Sequence, residues 1–180
     1  MPTTSTTQPP TTTTTTIGGE PWSMEAAGPG TFESVSLQQG LSFTIGDGWG
    51  PIFPEAPELI NMQLPGQVVL FVMLSRAEST DDAAVSAASG GLTLENEESV
   101  EVGGIAATRY EVAGSGGDSV LVETLFGEFT TNTDGEAVRL TLLEVNGTVV
   151  AIAEVGTLDD PASSWAESQK VIDTIVWATT

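Results

Sequence analysis

The sequence predicts an α+β domain, an antiparallel meander β-sheet flanked by two helices in an α/β/α sandwich. Three observations predict it. From Phe32 onward, short segments of alternating apolar residues recur between tight turn signals. One of these segments, residues 67–75, is apolar at nearly every position, as expected of a strand covered on both faces. Two stretches carry full helix-start signals, one at Ser79 and one at Asp160.

Residues 1–31 differ in kind from the rest of the chain. Residues 1–16 hold ten Thr and three Pro, and residues 17–30 add Gly18, Gly19, Pro21, Gly28, Pro29 and Gly30. Such a composition cannot bury a core and is expected to be a disordered Thr/Pro/Gly-rich stalk or linker. A single domain is expected over residues 32–180.

In the first strand, Leu41, Phe43 and Ile45 alternate with Ser42 and Thr44, which marks one buried face. It ends at Gly46-Asp47-Gly48, before Trp49. Pro51, Pro54 and Pro57 then argue against regular structure. A strand over 58–63 and a turn at Leu64-Pro65-Gly66 lead into the apolar strand 67–75. Ser79-Thr80-Asp81-Asp82 starts a helix that runs to Ser89, with acids in its first turn suiting the helix dipole and Gly90-Gly91 closing it. Further strands are expected over 92–102, 105–112 and 119–126, then a polar stretch ending in Asn132-Thr133-Asp134-Gly135. Strands 136–145 and 148–155 flank Asn146-Gly147, a strong hairpin signal because a type I′ turn needs positive φ twice. Asp159-Asp160-Pro161 opens the second helix, which runs to Asp173 with Trp165, Ala166, Gln169 and Ile172 toward one side. Residues 174–178 form a terminal strand.

Charge narrows the chemistry. The 180 residues include 25 Asp and Glu, four Lys and Arg, and neither His nor Cys, a net charge of −21. Imidazole and thiol chemistry is excluded, along with disulfides and thiolate or imidazole metal sites. Nucleic acid is not an expected partner, because a chain so acidic has little to neutralise phosphates. The acidity has two compatible readings, a highly soluble secreted protein or adaptation to saline water.

Each candidate site has a plain structural alternative. Glu95, Glu97 and Glu101 lie at alternate positions, which in a regular strand places them on one face. They are read as a solvent face rather than a cation or acid/base site. Asn132-x-Asp134-Gly135 resembles part of a calcium loop, but Thr130 and Thr141 stand where ligands are needed. Asp159-Asp160 is accounted for by helix capping. Gly46-Asp47-Gly48-Trp49-Gly50 lacks dinucleotide spacing, and Gly114-Ser115-Gly116-Gly117 is no nucleophile elbow. Trp49, Trp165 and Trp177 are assigned to the core, and Trp22 to the surface. Asn146-Gly147-Thr148 matches a glycosylation sequon and is read as a turn. Arg76, Arg109 and Arg139 are expected to pair with acids. No catalytic, cofactor-binding or metal-ligating residue is assigned, and no cofactor is expected.

Leu41-Ser42-Phe43-Thr44-Ile45 with Gly48-Trp49 resembles the opening strand of PsbP-like domains. Val102-Gly103-Gly104-Ile105-Ala106-Ala107 is similar to their mid-domain hairpin, and Val171-Ile172-Asp173-Thr174-Ile175-Val176-Trp177 to their last helix and strand. The resemblance covers residues 37–178. It implies an antiparallel sheet between helices and no shared catalytic residues. With the Thr-rich segment, it places the bacterial exported lipoprotein-type members nearest.

The expectation is a non-enzymatic extracytoplasmic or cell-surface domain, a monomer serving as an interaction or accessory module. Its partner would be a protein or another cell-envelope component, with no membrane insertion by this chain and any export or anchor segment outside it. The alternatives are a carboxylate-based glycan hydrolase and an acidic cation-binding surface protein.

Overall fold

The computed structural model describes residues 14–17, 29–34, 37, 40–50, 52–56, 59–114, 116–125 and 127–178. Its strands are β1 (Thr14–Ile17), β2 (Gly30–Ser34), β3 (Leu41–Ile45), β4 (Ile52–Ala56), β5 (Leu59–Leu64), β6 (Val68–Leu74), β7 (Leu92–Val102), β8 (Ile105–Gly114), β9 (Asp118–Thr124), β10 (Gly127–Asn132), β11 (Glu136–Val145), β12 (Thr148–Thr157) and β13 (Val176–Trp177). Helix α1 (Thr80–Ser89) lies between β6 and β7, and α2 (Pro161–Ile172) between β12 and β13.

A seven-stranded antiparallel sheet, in the order β4-β5-β6-β12-β11-β8-β7, organises the molecule. Its strands alternate between two cores. Val68, Leu70, Val72 and Leu74 of β6 enter one core, and Met73 and Phe71 enter the other. The apolar pattern of 67–75 thus has its cause, because β6 is central and covered twice. The first core is closed by α2 and a small sheet of order β1-β2-β3-β13, which supplies Phe32, Phe43, Ile45 and Trp177. The second is closed by α1 and the β9–β10 hairpin, through Ala83, Ala87, Leu121 and Val122. Each covering layer therefore mixes a helix with strands, where the sequence suggests helices alone.

Both helices start where the capping residues place them. The Ser79 hydroxyl accepts from the Asp82 N–H at 3.1 Å, and the Asp160 carboxylate from the Ser163 N–H at 3.1 Å. The inward face of α2 departs from the apolar reading. Ser164, Ser168, Val171 and Ile172 are buried, while Trp165 is half-buried and Ala166 exposed. The serines are satisfied internally, with Ser164 Oγ donating to the Gln67 carbonyl at 2.9 Å. Their small size lets α2 lie close to Gly156, where an added Cβ would stand 2.6 Å from the Ser164 Cβ.

Besides β2, which pairs with β3 ahead of the first expected strand, three strands lie outside the expected set. The segment 52–56 pairs with β5 despite Pro54, which is tolerated because β4 is the sheet edge and its register shifts there. The second, β10, replaces an expected polar connection. It alternates, with Thr131 buried and Glu128, Thr130 and Asn132 exposed, and Phe129 packs on Phe71 with ring centroids 4.6 Å apart. The third, β1, runs parallel to β2 and places Thr14, Thr15, Thr16 and Ile17 of the expected stalk in the small sheet. The rest of the expected stalk up to residue 28 lies outside the described residues, as does Trp22.

Candidate functional site

The tight hairpin at Asn146-Gly147 (φ 50° and 78°) fixes the pairing of β11 with β12. Counting back from the turn sets Arg139 opposite Glu154. Glu154 is 0 % exposed. Arg139 Nε donates to its Oε2 at 2.9 Å and Nη2 to its Oε1 at 2.5 Å, a bidentate fork. Ser168 of α2 donates a third, short hydrogen bond to Oε1. The Arg139 guanidinium also lies 4.7 Å from the centre of the Trp165 ring. One row along the sheet, Arg109 is 9 % exposed and its Nε donates to Thr141 Oγ1 at 3.2 Å. Burial, and next the nearby charge of Arg139, pull the Arg109 guanidinium below its ordinary value; Glu154, Glu98 and Asp173 act in the opposite sense.

Two of the four basic side chains are thus drawn under α2. The others face solvent: Arg76 donates to the Leu125 carbonyl at 3.0 Å, and Lys170 pairs with Glu167 at 2.6 Å. The expected pairing with acids holds for Arg139. Arg76 bonds a carbonyl and Arg109 a hydroxyl instead. Among acids whose side chains are described, Glu154 alone is buried, and the surface is correspondingly anionic.

The remaining sequence candidates separate. Glu95, Glu97 and Glu101 do not share a face, which corrects the expectation from alternation. A bulge between Glu95 and Glu98, with Asn96 at φ 51°, resets the phase of β7. Leu94 before it enters the α1-side core, and Val100 and Val102 after it pack on the α2-side core. Asn132-Thr133-Asp134-Gly135 is a turn in which the Asp134 N–H donates to Asn132 Oδ1 at 3.0 Å. No three acidic side chains among the described residues are grouped to hold a metal. Trp49 and Trp177 are buried as expected, and the Trp177 indole donates to the Val102 carbonyl at 3.1 Å. Trp165 is corrected from core to cleft wall.

Two clefts meet at the end of the sheet where β11 begins and β12 finishes. One, of about 520 Å³, runs from the 64–67 turn to Asp159. The other, of about 300 Å³, is walled by Trp165, Pro161, Leu158, Ala113 and Ala137, with Glu111 and Glu136 on its rim. Both include Glu136 and Leu158. The β8–β11 ladder sets Glu111 opposite Arg139, on the α2 side; Glu136 lies in the phase of Val138 and Leu140, which face the α1-side core. The two carboxylates therefore leave the sheet from opposite faces. Sequence reasoning misses Glu154 and this groove. A lone Glu in the apolar run 148–155, set against Arg139 by the hairpin count, is the available signal for Glu154.

No protein-family model and no curated sequence matches the chain. Among solved structures it is similar to cyanobacterial PsbP (CyanoP) from Synechocystis sp. PCC 6803, with a TM-score of 0.50, 13 % identity, and coverage of 89 % of this chain and 98 % of that one. This likeness defines the class: the fold is PsbP-like. A weaker likeness, with a TM-score of 0.43 and 10 % identity over 77 % of this chain and 83 % of the other, is to LpqN, a protein involved in cell envelope biogenesis of Mycobacterium tuberculosis. No helix among the described residues is long and apolar enough to cross a membrane.

Proposed function

We propose that the chain is a non-enzymatic, extracytoplasmic interaction or accessory domain whose specific partner is a protein or another component of the cell envelope. The observation that carries the reading is the apolar groove beside Trp165. Its two rim carboxylates emerge from opposite faces of the sheet and do not converge as an acid/base pair requires. A half-exposed tryptophan, an exposed leucine and a proline offer surface for binding rather than groups for turnover. The Thr- and Pro-rich composition of residues 1–16 supports a tethered location, since it suits a spacer between a domain and its anchor.

The test is made on the gene product with its natural upstream sequence. Protease added to intact cells is expected to remove the domain, and cross-linking on those cells to join it to an envelope component. A product protected until lysis overturns the location. Release of reducing sugar from envelope glycans by the purified chain, abolished by Glu111→Gln or Glu136→Gln, overturns the non-enzymatic part.

A further inference from the structure

We infer that the groove between β8 and β11 docks an extended, cationic segment of a partner protein. This rests on the interaction reading above and names its surface. Three observations carry it.

The first is a parting of the sheet. The β8–β11 ladder ends at Val112–Val138, yet β8 continues to Gly114 and β11 begins at Glu136. Their outer edges stay engaged, Ala113 and Gly114 with Thr93 and Leu92, Glu136 and Ala137 with Thr157 and Gly156. Across the gap the two edges have no ladder partner. The parting leaves a groove between the two strands, shaped to take an extended chain alongside them. Thr133 closes the slot at one side, since its hydroxyl lies where a side chain on Gly114 would have to go.

The second is the wall. Leu158 is 51 % exposed, and Trp165, Pro161, Ala113 and Ala137 continue an apolar surface from it. The Trp165 ring is held in place by the Arg139 guanidinium, so little is lost in ordering it on binding. Such a wall takes the aliphatic stem of a long side chain.

The third is charge. Glu111 and Glu136 are exposed at the rim, and the basic group beneath the wall, Arg139, is already committed to Glu154. The chain as a whole carries −21. An acidic segment would be repelled, whereas Lys or Arg in the occupant meets complementary charge and is steered inward.

The test titrates the isotopically labelled full chain with a short peptide of alternating lysine and valine, monitored by amide and indole resonances. Expected are shifts centred on Ala113, Gly114, Glu136, Ala137 and the Trp165 indole, with binding weakened about tenfold or more by Glu111→Lys, Glu136→Lys or Leu158→Glu, and by raised salt. Asp47→Lys, in the turn that follows β3 and outside the groove's lining, should leave binding unchanged. Leu158→Glu alters an exposed side chain and keeps the test informative should Trp165→Ala fail to fold. No shifts, shifts scattered over the acidic surface with Asp47→Lys equally damaging, preference for a glutamate–valine peptide or an oligosaccharide, or self-association that occludes the groove would each overturn the proposal. Should cross-linking to an envelope component survive Leu158→Glu while the peptide fails, the groove falls and the interaction reading stands.

Discussion

At the scale of single residues, the buried fork between Arg139 and Glu154 dominates. Removing the arginine leaves a carboxylate at 0 % exposure with Ser168 as its remaining hydrogen-bond partner. Arg139→Ala is therefore expected to cost about 3–5 kcal/mol in urea unfolding, whereas exchanging both partners for apolar residues of similar volume should cost far less. Equal losses for the single and double variants would refute this account. Tyr110, the chain's one tyrosine, gives a second test. Burial, and then the charges of Glu97 and Asp81, push its phenol above the ordinary value. The folded chain thus holds this proton more tightly than the unfolded chain. The associated stability is complete below about pH 10 and declines as pH rises through the folded value. Ultraviolet titration should find a midpoint above that of free tyrosine, and Tyr110→Phe should flatten the alkaline decline.

The elements differ in how openly their residues declare them. Both helices are legible because capping is local: Ser79 and Asp160 each satisfy an N–H three residues on. The β11–β12 hairpin is legible because Asn146-Gly147 fixes its own register. β4 is hidden because Pro54 is acceptable at a sheet edge, and edge position is a property of the assembled sheet. The bulge in β7 is hidden because only Asn96, a residue that tolerates positive φ, marks it. The groove is hidden for the same kind of reason, since it depends on where two ladders stop. Close packing of α2 on β12 yields its own prediction. Gly156→Ala places a methyl 2.6 Å from the Ser164 Cβ, between backbones that both ladder and helix hold. It should lower stability by about 1–3 kcal/mol, and an unchanged urea midpoint would contradict the packing argument.

For the whole molecule, the decisive quantity is the imbalance of charge. Acids cover the surface, and two of four cations are withdrawn beneath α2, so few pairs offset the repulsion. Added monovalent salt should raise the melting temperature from its low-salt value, because screening weakens repulsion between exposed charges. A melting temperature indifferent to salt would speak against any tuning to saline surroundings. The sheet itself carries a further consequence. β4, β5 and β6 close through ladders between successive strands, as do β7 with β8 and β11 with β12, while the two sets meet at the β6–β12 ladder and again at β3–β13. The chain is therefore two locally wired pieces joined along two long-range seams, one in each sheet. Folding should wait on that joining, and a backbone cut between β6 and α1 should leave two fragments able to find each other and rebuild the native sheet in trans.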